Sequence, residues 1–454
     1  MTTFNKPLTA VLIGAGHRGH QPFGDYALQH PEDLKFVAVV EPNERRRKRF
    51  AQLHHIPEFA QFSSADQLYQ RKRQADLIVN ASADRAHVET TLPAFELGYH
   101  VLMEKPIAAS PAQVLRFFNA AIQSKSHVWV MHELRWSPFF QHVKTLLDLN
   151  TIGRPITWQH TESPAYWHMA HSYVRGNWRR HLETTPILLA KACHDLDLLI
   201  WLLGRPVRFV HSFGALTEFR RENAPENAPP RCTDGCPVEE VCPYDAKRIY
   251  LGENSGWPAS VISEDSSLAA RRAALETGPY GRCVYYCDND VVDHQVVNLE
   301  FSGDVTVAFT LTGHGPENTR EFTYDGSKGR LTGNFERNVV TVWHYPDPES
   351  QVSEIDADEK GHGGGDPAMI RAFLHTIAAH QLPDHTALAQ GVYSHLVGFA
   401  AEESREHRNV IDLDAYGRQI DADIWRMVVE TAFPGALKSG SDRHEPVVSS
   451  TVRE

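Results

Sequence analysis

A glycine-rich turn set between an apolar strand and a helix is the feature that most constrains this chain. Residues 9–13 form a short β-rich run, and Gly14-Ala15-Gly16-His17-Arg18-Gly19 follows it at once. Further β-rich runs at residues 36–40, 77–79, 100–103 and 127–131 alternate with helical patterns at 43–54, 86–97 and 111–124. Near-continuous apolar strands alternating with helices belong to a parallel sheet covered on both faces. Residues 1–132 are therefore expected to form a doubly wound α/β domain of Rossmann type. In such a turn Gly14 permits the tight bend, Gly16 lets the backbone approach a pyrophosphate, and Gly19 allows close packing of helix on strand. The helix start offers unpaired N–H groups and a partial positive charge to phosphates. His17 and Arg18, in the same turn, join the glycines as candidate cofactor contacts.

The second strand ends at Glu41, 22 residues after Gly19. A carboxylate there accepts hydrogen bonds from the adenosine ribose and repels a 2′-phosphate, which favours NAD over NADP. The run Arg45-Arg46-Arg47 keeps NADP as the lesser reading, because arginine can clamp that phosphate. A solvated helix face is the plainer account of the run.

The chain has 454 residues, too many for one ordinary core, so a second domain is expected over 133–437. Its pattern is α+β: helices at 139–149 and 187–203, then strands at 207–213, 294–301, 305–312, 320–324 and 339–343. The turns at 302–304 and 325–326 suit antiparallel hairpins, giving a large, mainly antiparallel sheet. Helices at 367–380 and 388–407 close the pattern, and residues 438–454, rich in Ser and charge, are expected to be disordered. A net charge of −12 argues against nucleic-acid or anionic-membrane partners. With no signal-like N-terminal segment and no apolar run of membrane-spanning length, a cytoplasmic protein is expected.

Glu104-Lys105-Pro106 follows the 100–103 strand at the carboxyl edge of the sheet, where a lysine can stabilise an alkoxide as hydride leaves. Taken with Gly14–Gly19 and the stretch from Ala86-His87 to Gly98-Tyr99, this motif resembles the Gfo/Idh/MocA family, the glucose–fructose oxidoreductase and inositol dehydrogenase relatives. The likeness spans essentially the whole chain. It implies an NAD-dependent oxidoreductase acting on a secondary hydroxyl of a sugar, inositol or cyclic polyol. His87 and Glu104 join Lys105 among its cofactor contacts. The resemblance makes Lys105 a catalytic residue. It also carries a histidine that transfers a proton within an Asp-x-x-x-His-x-x-Asp pattern onto His194, with Asp197 as the last aspartate. The first aspartate is Ala190 here, and Lys191 is placed to contribute charge instead. Homodimers or homotetramers built through the open face of the second sheet are implied as well. Two other functions stay open: a glycoside hydrolase using bound NAD transiently, and a non-catalytic NAD-binding regulator.

The aromatic and polar segment from Tyr166 to Arg179 has the composition of a sugar-lining wall, and His168, His171, Arg175 and Trp178 are its candidate substrate contacts. His132 and Arg135 are pocket candidates by position. Gly361-His362-Gly363-Gly364-Gly365-Asp366 either brings backbone near the substrate or only connects. Five of six cysteines fall between Cys232 and Cys287. Cys232, Cys236, Cys242 and Cys283 could hold structural zinc; reduced thiols and disulfides remain alternatives. Cys193, beside His194, reads as a packing thiol.

Overall fold

The computed structural model describes residues 6–347, 349–357 and 361–435, which build two sheets. The first contains β1 (Leu8–Ile13), β2 (Leu34–Val40), β3 (Gln61–Phe62), β4 (Leu77–Asn80), β5 (His100–Met103) and β6 (Val128–Val130). Their order is β3-β2-β1-β4-β5-β6, and every pairing is parallel. Strand order reverses beside β1, so the loops leaving β1 and β4 diverge and open a crevice at the carboxyl edge. Ala10, Val11, Leu12, Leu77, Ile78 and Val79 are completely buried, as strands covered on both faces must be.

The second sheet holds β7 (Pro155–Ser163), β8 (Val207–Ala215), β9 (His294–Phe301), β10 (Val305–Thr312), β11 (Thr319–Gly326), β12 (Gly329–Asn334), β13 (Val339–His344), β14 (Ser350–Glu354) and β15 (Ile411–Asp412). They run in the order β14-β13-β12-β11-β7-β10-β9-β8-β15. The β7–β10 pairing is parallel and the others are antiparallel. Alternation decides its faces: Val297, Leu299, Phe301, Val305, Val307, Phe309 and Leu311 point into the core, while Thr157, Gln159, Val296 and Thr306 face outward. The helices Cys193–Leu203 and Thr386–His407 cover the inner face. The late helices also return to the first domain. The backbone N–H of Ile107 donates to His395 Nε2 at 3.0 Å, and Arg371 lies 3.7 Å from Asp33.

Two expectations need correction. The helix anticipated over 187–203 is two helices, Ile187–Ala190 and Cys193–Leu203, separated at Lys191 and Ala192. It ends as expected at Gly204, which adopts φ 60°. The helical pattern also does not stop at 407. Leu413–Ala432 follows, its start capped by Asp412, whose side chain accepts from the Ala415 N–H. An extended residue inside it, Asp421 at φ −161°, breaks the apolar period and hides the helix from a pattern search. The 438–454 stretch lies outside the described residues.

The three glycines of the first turn have different duties. A Cβ on Gly19 would lie 2.1 Å from the Gly14 carbonyl oxygen, and one on Gly14, at φ 92°, would lie 2.4 Å from the Ala81 carbonyl oxygen. A Cβ on Gly16 would meet nothing within 4 Å; it would enter the crevice. Gly19→Ala should therefore destabilise the protein by about 1–3 kcal/mol, the usual cost of overpacking. Gly16→Ala should leave the melting temperature of the dinucleotide-free protein unchanged and weaken dinucleotide binding alone. Thermal unfolding with and without added NAD separates the two.

Candidate active site

The C-terminal end of β5 delivers Glu104-Lys105-Pro106 to the crevice. Lys105 Nζ donates to the Ala190 carbonyl oxygen at 2.7 Å, a group that the helix break leaves reachable. His194 lies in the first turn of the helix on the far side of that break. Its ring is buried, and burial first, then the Lys105 ammonium, then His362, hold its pKa well below the ordinary value. The imidazole is thus neutral at physiological pH, with Nδ1 buried and unpartnered. The structure brings Lys105 and His194 to one place.

Arg18 leaves the glycine turn toward the second domain. Its Nε donates to Glu104 Oε1 at 2.6 Å and its Nη2 to Asp366 Oδ1 at 2.9 Å, with Glu133 Oε1 3.7 Å away. Glu133 Oε1 also lies 2.9 Å from His362 Nδ1 and 3.7 Å from His194 Nε2. His362 Nδ1 stands 3.0 Å from Asp366 Oδ2. His362, Gly363 and Gly364 take left-handed conformations in succession, and this turn aims the ring at Glu133. Burial opposes a charge on His362, but Glu133 and Asp366 outweigh it and raise its pKa to about 9. Glu133, His194 and His362 offer ligand atoms within 4.8 Å of one another. A metal ion there would have to displace the imidazolium proton beside the Arg18 guanidinium, so the group reads as an ion-pair network. Glu133 and His362 were missed as side chains in the sequence. The signal available was the four-residue spacing of His362 and Asp366.

In the crevice, the Glu41 carboxylate accepts from the N–H groups of Ala15 and Asn43 at 2.8 and 2.9 Å, leaving a free lone pair on each oxygen. Arg47 turns back onto the Glu41 carbonyl, and Arg46 lies 3.6 Å from Glu264. His17 is partly exposed in the turn, and burial together with Arg18 lowers its pKa. His87 does not face the crevice freely, since its ring nitrogens sit against the Pro106 and Ser82 carbonyls at 2.7 and 3.0 Å.

Several expected substrate contacts are engaged by other residues of the protein. Asp197 forms a two-point ion pair with Arg135, both contacts at 2.6 Å. His171 meets the Tyr250 hydroxyl at 2.9 Å, and Trp178 Nε1 donates to Asp84 Oδ2 at 3.1 Å. Arg175 is fully buried against Cys232, Tyr244 and Arg282. These groups fasten the segment to its neighbours. Lys191, 3.2 Å from Glu162, and His168, held by Asn318 Oδ1 at 2.8 Å, remain near each other on one wall. Asp195, the next residue of the helix, accepts from His160 and from Arg320. Both ring nitrogens of buried His132 lack partners, as do His194 Nδ1 and Glu133 Oε2. Unpartnered buried polar atoms gathered around an open crevice fit a site that binds polar ligands.

The family model for the oxidoreductase family's NAD-binding Rossmann fold matches residues 8–132, and the model for its C-terminal alpha/beta domain matches residues 144–413. The chain belongs to the Gfo/Idh/MocA family. YteT of Bacillus subtilis (strain 168), a protein named as an oxidoreductase, is 25% identical over 367 residues, covering 78% of this chain and 84% of that protein. Inositol 2-dehydrogenase 2 of Saccharopolyspora erythraea is 30% identical over 136 residues, 30% of this chain and 37% of its own. Among solved structures, levoglucosan dehydrogenase in complex with NADH and levoglucosan superposes with a TM-score of 0.67 at 18% identity, covering 90% of this chain and 100% of that one. As a Gfo/Idh/MocA protein the chain is an NAD-binding oxidoreductase, and the open space beyond Gly16 fits a bound dinucleotide. Among the described residues no helix is long and apolar enough to cross a membrane.

The His362 pairing makes this Gfo/Idh/MocA site sensitive to base. A free imidazole titrates near 6.5, roughly, whereas folded His362 keeps its proton to about 9. The stabilisation is therefore complete below the unfolded value and disappears as pH rises through the folded one. Melting temperature should fall between pH 6.5 and 9.5, roughly, and His362→Gln should flatten that decline. Equal alkaline slopes in the two proteins would sink the assignment.

Proposed function

We propose that this protein oxidises a secondary hydroxyl of a sugar, inositol or related cyclic polyol. The observation that carries the reading is a buried, neutral imidazole at His194 within electrostatic reach of the Lys105 ammonium, which is held on the Ala190 carbonyl at the carboxyl edge of the dinucleotide-binding sheet. Bound NAD supplies the acceptor for the hydride that leaves the substrate carbon. His194 takes the hydroxyl proton, a role open to a ring that is uncharged at neutral pH. Lys105 hydrogen-bonds the substrate oxygen and stabilises the charge that develops on it. Where the family pattern has an aspartate, the Ala190 carbonyl holds the Lys105 amine, so orientation replaces a carboxylate's charge. Relatives named for inositol and levoglucosan support a cyclic polyol as the substrate class.

NAD is preferred to NADP in this reading, because Glu41 stands where a 2′-phosphate would go and Arg46 and Arg47 are engaged elsewhere. The implied homo-oligomer would use the outer face of the second sheet, where Val296 and Phe213 are exposed side by side. One observation favours a second reading, a hydrolase with transient oxidation. His362 is a charged acid whose ring centroid lies 5.6 Å from that of His194, and elimination of a glycosidic oxygen needs such a donor.

A panel of cyclic polyols assayed with NAD should give reduced cofactor with at least one member. Lys105→Ala and His194→Ala should each lower kcat by about 10²–10⁴ while NAD binding persists. Glycoside cleavage without net NADH would select the hydrolase. Undiminished turnover in Lys105→Ala would remove Lys105 from the reaction and overturn this mechanism.

A further inference from the structure

The insertion between β8 and β9, residues 216–293, carries Cys232, Cys236, Cys242, Cys283 and Cys287. All are free thiols. A short antiparallel bridge joins its two halves: Arg231 pairs with Arg282, the Cys232 N–H donates to the Gly281 carbonyl, and the Cys283 N–H donates to the Pro230 carbonyl. Cys232 and Cys283 consequently sit diagonally on the same side of that bridge. Cys232, Cys236, Cys242 and Cys283 together line one cavity of about 20 Å³, enough for one water-sized occupant.

The guanidinium groups beside this cavity are incompletely paired. Arg175 is fully buried, and the ionisable groups that act on it most strongly are Tyr250, Cys232, Cys287 and Cys283, while the carboxylate that lines the cavity, Asp245, is engaged by the Lys247 and Arg248 N–H groups. Arg175 Nη2 points at Cys232 Sγ, 3.5 Å away, and its Nη1 is buried without a partner. Arg282 pairs with Asp288 through Nη1 at 2.6 Å, while its Nε and Nη2 are buried and unpartnered. A buried guanidinium requires an anion.

We infer that Cys232, Cys236, Cys242 and Cys283 bind a metal ion as four thiolates, forming a structural centre whose negative charge neutralises Arg175. On binding, each thiol loses its proton to solvent, and four thiolates around a divalent ion leave a net charge of two minus. The cavity has the size of a single ion, so zinc is the expected occupant. No three of the sulfurs lie within 4.8 Å of one another among the described residues, so binding draws them inward. The centre stands apart from the reaction. It ties down the lobe that grips Arg175 and His171 and that reaches Arg46 through Glu264.

Metal analysis of the full-length protein, expressed with zinc and iron both supplied, tests this. About one zinc per chain is expected, with four thiols shielded from a thiol reagent until a chelator is added. Cys232→Ser and Cys283→Ser should each lose most of the metal, whereas Cys193→Ser, outside the lobe, should keep it. Iron with sulfide and visible absorption would sustain a thiolate centre and replace the single ion with a cluster. Metal-free protein with reactive thiols, or disulfides found in peptide maps, would overturn the inference. Should the serine variants fail to fold, chelator-dependent thiol exposure in the unaltered protein still decides it.

Discussion

The Arg18 guanidinium holds the cofactor turn to the substrate domain, and the site depends on it. It is the meeting point of carboxylates from three separate places: Glu104 after β5, Glu133 after β6, and Asp366 in the glycine-rich turn. Three buried acids in one volume would repel one another, and burial alone already raises the pKa of Glu104. Arg18, the His362 imidazolium and the Lys105 ammonium bring three positive charges to the same volume, so the group is neutral as a whole. Neutrality is what allows buried charged side chains to line the crevice at tolerable cost. It also ties the glycine turn to the loop that carries His362, since Arg18 and His362 share Asp366.

The helix break at Lys191 and Ala192 follows the same logic. An unbroken helix would tie up the Ala190 carbonyl in its own hydrogen-bond ladder. Interrupting the ladder frees an uncharged acceptor for Lys105. A carboxylate at that position would add a fourth negative charge to a site already holding three. The carbonyl orients the amine without upsetting the balance, and it leaves the ammonium's charge to depress the pKa of His194. The loss of the family's aspartate at this position is therefore compatible with an intact Lys105–His194 pair.

Much of this was legible in the sequence. Strand–helix alternation, the glycine turn and the Glu-Lys-Pro motif defined the first sheet and its ligand edge, because buried parallel strands and tight turns leave few residue choices. Alternation along the 294–312 strands gave the second sheet. Short edge strands such as Gln61–Phe62 carry too few residues to show a period, and the Leu413–Ala432 helix hid behind its extended Asp421. The Glu133–His362 pair was invisible for a different reason: 229 residues separate its members, and only a left-handed turn brings them together.

The Tyr166–Arg179 segment shows what composition leaves open. Aromatic rings, histidines and arginines suit a sugar pocket, but the same residues suit the seam between three packed units. Direction decides between the two, and composition carries no direction. His171 stacks on Tyr280 and bonds Tyr250, Arg175 enters the cysteine lobe, and Trp178 crosses to Asp84 of the first domain. The segment is thus a tie between the lobe and the dinucleotide domain. His168, beside Lys191, is the part of it that still borders the site. A loosened lobe would reach the chemistry through that tie, since Trp178 and the wall residue His168 belong to one short stretch of chain.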